Sequence, residues 1–266
     1  MCPFATIPPV ERTGGVEDCP HCGGTGWVRV ADGGAGAARP CVCEEQRRLP
    51  RLIEASGVPP RYRECTIAGF QTAGEERARA RLLEARAVCQ RYVDEFLGLD
   101  GRFRETGLVF VGPPGTGKTH LAAAVLLELI RRHGIAGRFV DFTSLVHRIQ
   151  STFDPSSPES KHDVLDPVID APLLVFDELG AQKATPFVND VLYLILNTRY
   201  TRRLPTLFTT NFRLERPAAA GAPGEHDLLA SRVPPILVSR LFEMAVPVAL
   251  DTGDFRREVR MHGIRV

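Results

Sequence analysis

The sequence predicts an α/β fold in which a five-stranded parallel sheet is flanked by helices. Five short apolar runs have the composition of strands, and they lie at residues 108–111, 138–142, 173–176, 206–209 and 246–250. Segments with the helical repeat of apolar residues precede or separate them, at residues 75–97, 119–132, 144–153, 186–201 and 233–243. Strands that alternate with helices form parallel sheets, because each helix carries the chain back to the same edge while covering one face.

Four segments follow one another along the chain. Residues 1–15 are rich in proline and are expected to be a flexible N-terminus, while residues 16–48 hold clustered cysteines and are expected to form a small module. Residues 49–100 are interpreted as a connector and a helix, and residues 101–266 as the main domain. Polar or small residues predict loops within these segments, at residues 33–38, 155–166 and 215–225.

Composition and charge exclude several classes of protein. The 266 residues are 44% hydrophobic and 24% charged, as in an ordinary globular protein. Lys and Arg number 33 against 32 Asp and Glu, so the chain cannot bind a polyanion through its overall charge. The longest apolar stretch, at residues 121–130, is too short to span a bilayer. The N-terminus lacks the pattern of a signal peptide, so a cytoplasmic protein is expected.

A glycine-rich sequence connects the first of the five apolar runs to the helix that follows it. Its eight residues fit the pattern G-x-x-x-x-G-K-[ST] in full, and they are Gly112, Pro113, Pro114, Gly115, Thr116, Gly117, Lys118 and Thr119. Glycines allow backbone N–H groups to face phosphate oxygens, and the helix N-terminus adds partial positive charge. Lys118 would reach the β- and γ-phosphates, and the Thr119 hydroxyl would ligate Mg²⁺. The motif predicts a nucleoside triphosphate site rather than a simple turn.

Two carboxylates follow the third apolar run. Asp177 can hold Mg²⁺, usually through water, and Glu178 can accept a proton from an attacking water. A kinase would instead need a site for a hydroxyl-bearing acceptor. The pair therefore favours hydrolysis, with a charged turn after a buried strand as the structural alternative.

Four of the seven cysteines cluster near the N-terminus and indicate a metal site. Cys19 and Cys22 form a C-x-x-C pair, and Cys41 and Cys43 form a C-x-C pair. Four thiolates satisfy a tetrahedral Zn²⁺, although C-x-C departs from the more usual second C-x-x-C. His21 is an alternative ligand, and free or redox-active cysteines are the alternative interpretation. A module this small has little core, so zinc would hold it together.

These motifs together resemble the AAA+ ATPases, in particular the bacterial helicase loaders of the DnaC and DnaI type, with the IstB-like transposition helpers as close relatives. The resemblance rests on GPPGTGKTHLAAA at 112–124, LLVFDELG at 173–180, TTN at 209–211 and SRL at 239–241. It implies an AAA+ ATPase core over residues 101–266 that hydrolyses ATP to ADP and phosphate with Mg²⁺. It also implies that no full C-terminal lid domain follows the sheet.

The resemblance implies roles for residues outside the two nucleotide motifs. Asn211 would be the sensor-1 residue that orients the lytic water, although Asn also commonly begins a turn. Arg240 would be the arginine finger that completes the site of a neighbouring subunit in a homo-oligomer, with Arg232 as a rival. Arg256 would be the sensor-2 arginine near the phosphates, with Arg257 adjacent to it. The alternative for these arginines is a solvated helix face.

Contact with single-stranded DNA is also expected from the resemblance, because the loader group carries an extra helix after the second strand of the core. Ser144, Arg148 and Lys161 would supply hydroxyl and cationic donors to phosphates. Contacts of this kind give salt-dependent binding that tolerates any sequence.

The expected function is that of an ATP-dependent helicase loader in DNA replication. It would deliver the replicative DNA helicase, held through the zinc module, to single-stranded DNA. Two alternatives stay open: an IstB-like ATP-binding transposition helper that assembles on duplex DNA, and a nucleotide-gated adaptor with negligible hydrolysis. The N-terminal zinc module favours the loader over the transposition helper.

Overall fold

The computed structural model describes residues 19–29, 38–72, 75–215, 227–250, 252, 253 and 255. Several of the expectations concern residues outside this set, namely residues 1–15 and 216–225, most of the 33–38 loop, Arg256 and Arg257. The chain divides into two compact units, Met1–Arg51 and Leu52–Val266.

The first unit contains a two-stranded antiparallel ribbon that follows a cysteine-bearing turn. Strands β1 (Trp27–Arg29) and β2 (Ala38–Pro40) pair so that Trp27 lies opposite Pro40. The turn is closed by the Gly23 N–H, which donates to the Cys19 carbonyl over 2.8 Å. Helix α1 (Val42–Ala55) begins directly after this ribbon and continues past the boundary of the unit.

Five parallel strands form the central sheet of the second unit. They are β3 (Gly107–Val111), β4 (Gly137–Asp141), β5 (Leu173–Asp177), β6 (Thr206–Thr210) and β7 (Ala245–Ala249). The order across the sheet is β4-β5-β6-β3-β7, and every neighbouring pair is parallel. The predicted five-stranded parallel sheet is confirmed, and each strand begins and ends within one residue of its predicted position.

Within the part of the second unit that the structure describes, six α-helices accompany the sheet. They are α2 (Glu76–Asp94), α3 (Lys118–His133), α4 (Phe142–Ser151), α5 (Lys161–Ile169), α6 (Pro186–Thr201) and α7 (Pro235–Met244). Helix α3 packs against four strands and is buried along most of its length, and α2 packs on α3. Helices α4 to α7 contribute apolar side chains to a core cluster that also includes Val109, Phe176 and Phe208 of the sheet. The predicted flanking helices are therefore confirmed. No helix among the described residues is long and apolar enough to cross a membrane.

Helix α5 corrects the predicted loop at residues 155–166. The Ser160 hydroxyl accepts from the Asp163 N–H over 3.2 Å, and the Asp163 carboxylate accepts from the Ser160 N–H over 2.8 Å, which forms a capping box. Its buried face comprises Val164, Leu165, Val168 and Ile169. The polar start and Pro167 conceal this short apolar face in the sequence, and packing against α4 and α6 stabilises it.

The parallel arrangement brings three chain segments to one edge of the sheet. Strands β3, β5 and β6 are neighbours, with Val175 beside Leu207 and Phe110 beside Thr209. Because parallel strands end at the same edge, the glycine-rich motif after β3, the acidic pair at the end of β5 and Asn211 after β6 meet there.

Candidate functional site

The glycine-rich motif forms the loop between β3 and α3. Gly117 precedes α3 with φ of 93°, in the left-handed region that glycine adopts without steric cost. A Cβ at this position would lie 2.6 Å from Cε2 of Phe70, which is buried. Glycine is therefore required here both by the backbone and by the approach of Phe70.

Lys118 and Thr119 are the first two residues of α3. The Lys118 side chain is mostly buried, and its Nζ donates to the Pro113 carbonyl within the loop over 2.7 Å. The Thr119 hydroxyl donates to Asp177 Oδ1 over 3.0 Å. This bond joins the glycine-rich motif directly to the acidic pair, although the two residues are 58 positions apart.

The acidic pair is held by Thr209, a residue that the sequence motifs did not single out for a role. The buried Thr209 hydroxyl donates to Asp177 Oδ1 over 2.6 Å and accepts from the Glu178 N–H over 2.9 Å. Glu178 has φ of 61°, which is uncommon for a residue with a side chain. One hydroxyl therefore positions both carboxylate residues.

Asp177 has the properties of a ligand for a hard cation. Burial raises the pKa of its carboxyl above the usual range, against the opposing effect of the hydrogen bonds from Thr209 and Thr119. A bound cation favours the carboxylate form of such a group. The neighbouring Thr119 hydroxyl and Asp177 carboxylate are oxygen donors of the type that Mg²⁺ prefers, so the donor set fits this ion.

A cavity of about 650 Å³ opens over the motif. One part of its lining is polar and comprises residues 114–119, Glu178, Thr209, Thr210 and Asn211. Another part comes from the connector and α2, where Tyr62, Phe70, Ala78 and Leu82 form apolar surface and Arg61, Gln71 and Glu75 add polar groups. A phosphate chain suits the first part, and the apolar faces of a nucleobase suit the second.

Asn211 lines the cavity, whereas Arg240 is not among the described residues of its lining. The Arg240 guanidinium lies on α7, with its carbon 5.5 Å from the Tyr193 ring centroid and 5.3 Å from that of Tyr200. Its rival Arg232 lies over the Phe212 ring at 5.1 Å. Stacking fixes the direction of both guanidinium groups.

The three residues expected at DNA lie on or beside α4 and α5. Ser144 and Lys161 are exposed, in the first turns of α4 and α5 respectively. Arg148 is also exposed, but its guanidinium forms a two-pronged ion pair with Glu159, with Nε donating to Oε2 over 2.8 Å. The structure therefore supplies a carboxylate partner that the sequence did not reveal.

The four predicted zinc ligands come together in the first unit. The Sγ atoms of Cys19, Cys22, Cys41 and Cys43 all lie within 4.8 Å of one another. The Cys19–Cys41 and Cys22–Cys43 distances are 3.8 and 3.5 Å, and a tetrahedron with Zn–S bonds of about 2.3 Å has edges of roughly 3.8 Å. Burial raises the pKa of Cys22, but the Gly26 N–H and the neighbouring thiols outweigh this effect and lower it to about 6. The donor set fits Zn²⁺.

Residues 77–220 match the family model described as IstB-like ATP binding protein, which covers more than half of the chain. The chain belongs to this ATP-binding family.

Two relatives extend the comparison. The replicative helicase loader DnaC of Escherichia coli K12 is 31% identical over 183 residues, covering 68% of this chain and 70% of DnaC. The phage-like element PBSX protein XkdC of Bacillus subtilis is 25% identical over 270 residues, covering 99% of this chain and 93% of XkdC. The predicted relationship to the helicase loaders and to the IstB group is therefore confirmed.

The crystal structure of the DnaC helicase loader has a similar fold. It superposes with a TM-score of 0.58 at 28% identity, covering 72% of this chain and 99% of that one. The predicted P-loop AAA+ class of fold is confirmed.

Proposed function

We propose that this protein is an ATP-dependent helicase loader of DNA replication, which binds and hydrolyses ATP and delivers the replicative helicase to single-stranded DNA. The observation that carries the proposal is the joined site at the sheet edge. Thr119, Asp177, Thr209 and Glu178 form one hydrogen-bonded series beside the phosphate-binding loop. It occurs in a chain of an ATP-binding family with 31% identity to the replicative helicase loader DnaC.

In this proposal the phosphates of ATP are bound by the backbone N–H groups of Gly115, Thr116 and Gly117 and by Lys118. Lys118 Nζ exchanges its bond to the Pro113 carbonyl for the β- and γ-phosphates. Thr119 and Asp177 would hold Mg²⁺, which neutralises phosphate charge when bound. The base lies toward Tyr62, Phe70 and Leu82, which line the less polar part of the cavity.

Hydrolysis requires a water to be oriented and deprotonated next to the γ-phosphate. Glu178 is exposed into the cavity, and its backbone is fixed by Thr209, so its carboxylate can accept that proton. Asn211 lies on the same lining and can orient the water by hydrogen bonding. In this proposal Arg240 acts on the ATP site of a neighbouring copy, since it is not among the described residues that line the cavity of its own chain.

The remaining parts of the proposal concern the partners. The first unit, with zinc on its four cysteines, docks the replicative helicase through its surface, on which Trp27 is 58% exposed. Single-stranded DNA contacts α4 and the start of α5 through Ser144, Arg148 and Lys161.

Two measurements test this function. The purified protein is incubated with the replicative helicase, with and without ATP, and its ATPase rate is recorded with single-stranded and with duplex DNA. A stable helicase complex and turnover stimulated by single strands are expected. Glu178→Gln should bind ATP but lose turnover, whereas Lys118→Ala should lose binding itself. Turnover by Glu178→Gln at the normal rate would remove the proposed base.

The second candidate is an IstB-like transposition helper that assembles on duplex DNA, which the match over residues 77–220 favours. It predicts no helicase complex, together with ATP-dependent assembly on duplex DNA. The same pair of measurements therefore separates the two functions.

A further inference from the structure

His120 joins the phosphate-binding loop to the connector. It is the third residue of α3, directly after Thr119, and it lines the cavity. Its Nδ1 lies 3.2 Å from Cys65 Sγ, and its Nε2 lies 3.3 Å from the Thr66 carbonyl oxygen. Its ring centroid is 5.6 Å from that of Phe70. The roles proposed above use none of these contacts.

The chemistry of the two partners fixes how the ring bonds. The Thr66 carbonyl can only accept, so Nε2 carries a hydrogen and donates it. In the neutral ring Nδ1 is then an acceptor, which leaves the Cys65 thiol as the donor to it. Both ring nitrogens are therefore occupied by the connector, and neither is available to a nucleotide.

The segment that His120 holds is a compact turn, which we call the connector turn, at residues 65–70. It has bonds of its own, since the Gly69 N–H donates to the Thr66 hydroxyl over 2.9 Å and the Phe70 N–H donates to the Ile67 carbonyl over 3.3 Å. These bonds give the turn its shape but do not attach it to α3. The turn is attached by its buried side chains Cys65, Ile67 and Phe70, and by the two hydrogen-bond contacts of the His120 ring, which lie at the cavity.

We propose that His120 is a positioning residue, which holds the connector turn at the nucleoside end of the ATP cavity. The proposal rests on the proposed function, in which the cavity binds ATP. Gly69 and Phe70 of the turn line the cavity, so release of the turn removes contacts with the nucleoside. The phosphate contacts remain, because Lys118 and the loop backbone do not depend on the imidazole.

The test compares two ligands that share phosphates but differ in the nucleoside. Dissociation constants for ATP and for inorganic tripolyphosphate, both with Mg²⁺, are measured by calorimetry for the wild type, His120→Ala and His120→Gln. His120→Ala should weaken ATP about tenfold and leave tripolyphosphate unchanged, as loss of about 1.4 kcal/mol of nucleoside contacts predicts. His120→Gln retains an amide donor for the Thr66 carbonyl and should recover most of the ATP affinity.

Two outcomes for His120→Ala would contradict the proposal. An unchanged ATP affinity in His120→Ala would overturn the proposal. So would equal weakening of both ligands, because His120 would then act on the phosphate loop or on the fold. As a control, Lys118→Ala must lose its affinity for both ATP and tripolyphosphate. If the wild type binds neither ligand, ATP binding itself fails, and the positioning role falls with it.

Discussion

Replacement of Thr209 by valine tests how the acidic pair is held. Valine has nearly the same shape as threonine but has no hydroxyl, so the change removes the 2.6 Å bond to Asp177 and the 2.9 Å bond from the Glu178 N–H. Hydrogen bonds to charged groups contribute about 1.5–3 kcal/mol each, and ordinary ones about 1 kcal/mol. The free energy of unfolding should therefore fall by roughly 2–4 kcal/mol, which lowers Tm by roughly 4–16 °C in a chain of this size.

Turnover should fall as well as stability. Glu178 has a left-handed backbone conformation, and without Thr209 its N–H no longer anchors it. Displacement of a catalytic group by about 1 Å can cost roughly 100-fold in rate, so we expect a fall of about 10- to 100-fold in kcat. ATP should still bind, because Lys118 and the loop are unaffected. Phosphate release under saturating ATP and thermal denaturation measure the two effects.

Two matched variants control this experiment. Thr209→Ser keeps the hydroxyl and should resemble the wild type in both measurements. Thr210→Val removes the neighbouring buried hydroxyl, which donates to the Leu179 carbonyl over 2.8 Å, accepts from the Phe212 N–H over 3.2 Å and does not touch Asp177. It should reduce stability but spare most of the turnover. If Thr209→Val matched Thr209→Ser in Tm and in kcat, the role assigned to Thr209 would be refuted.

Three further predictions concern the other candidate sites. Glu159→Gln should strengthen single-stranded DNA binding by about 3- to 10-fold at low salt, because it frees the Arg148 guanidinium, while Arg148→Ala should weaken it. If fluorescence anisotropy gave both variants the affinity of the wild type, Arg148 would not belong to the interface. Cys22→Ser should reduce the zinc content of protein prepared without chelator, as measured by atomic emission, while its ATP affinity stays normal. A wild-type protein that contains no zinc would contradict the metal site. Arg240→Ala should lose ATPase activity only in the assembled state, and mixing it with Lys118→Ala should recover activity; a mixed oligomer that forms but stays inactive would count against a shared site.

The sequence predicts the sheet and the phosphate loop well because their signals are local. Strands β3 and β5 are nearly continuous apolar runs and every residue of β6 is buried, as expected for the centre of a parallel sheet covered on both faces. The loop residues are consecutive, and backbone geometry and phosphate chemistry together restrict which residue types can occupy these positions. Helix α5 was not predicted, because a polar capping box and an internal proline surround only four buried apolar residues.

Arg199 shows a second reason why tertiary structure escapes the sequence. It lies in α6 and is fully buried, where its guanidinium donates to the carbonyls of Val168, Ile169, Ala171 and Pro205. Burial lowers its pKa to about 9. A helical arginine ordinarily predicts a solvated face, and only the assembled fold shows that this one satisfies carbonyl groups at the ends of α5 and before β5 and β6.

The supporting residues of the candidate site escape the sequence for the same reason. Thr209 bonds to Asp177 across 32 positions, and His120 bonds to Cys65 across 55, so neither pair forms a pattern within a short window. The motif residues specify which groups contact a nucleotide, while these distant partners specify where the groups are held. A variant of a motif residue therefore reports whether ATP is bound or hydrolysed, as in any P-loop protein. A variant of Thr209 or His120 reports how this particular fold positions those groups, because it leaves every predicted phosphate ligand in place.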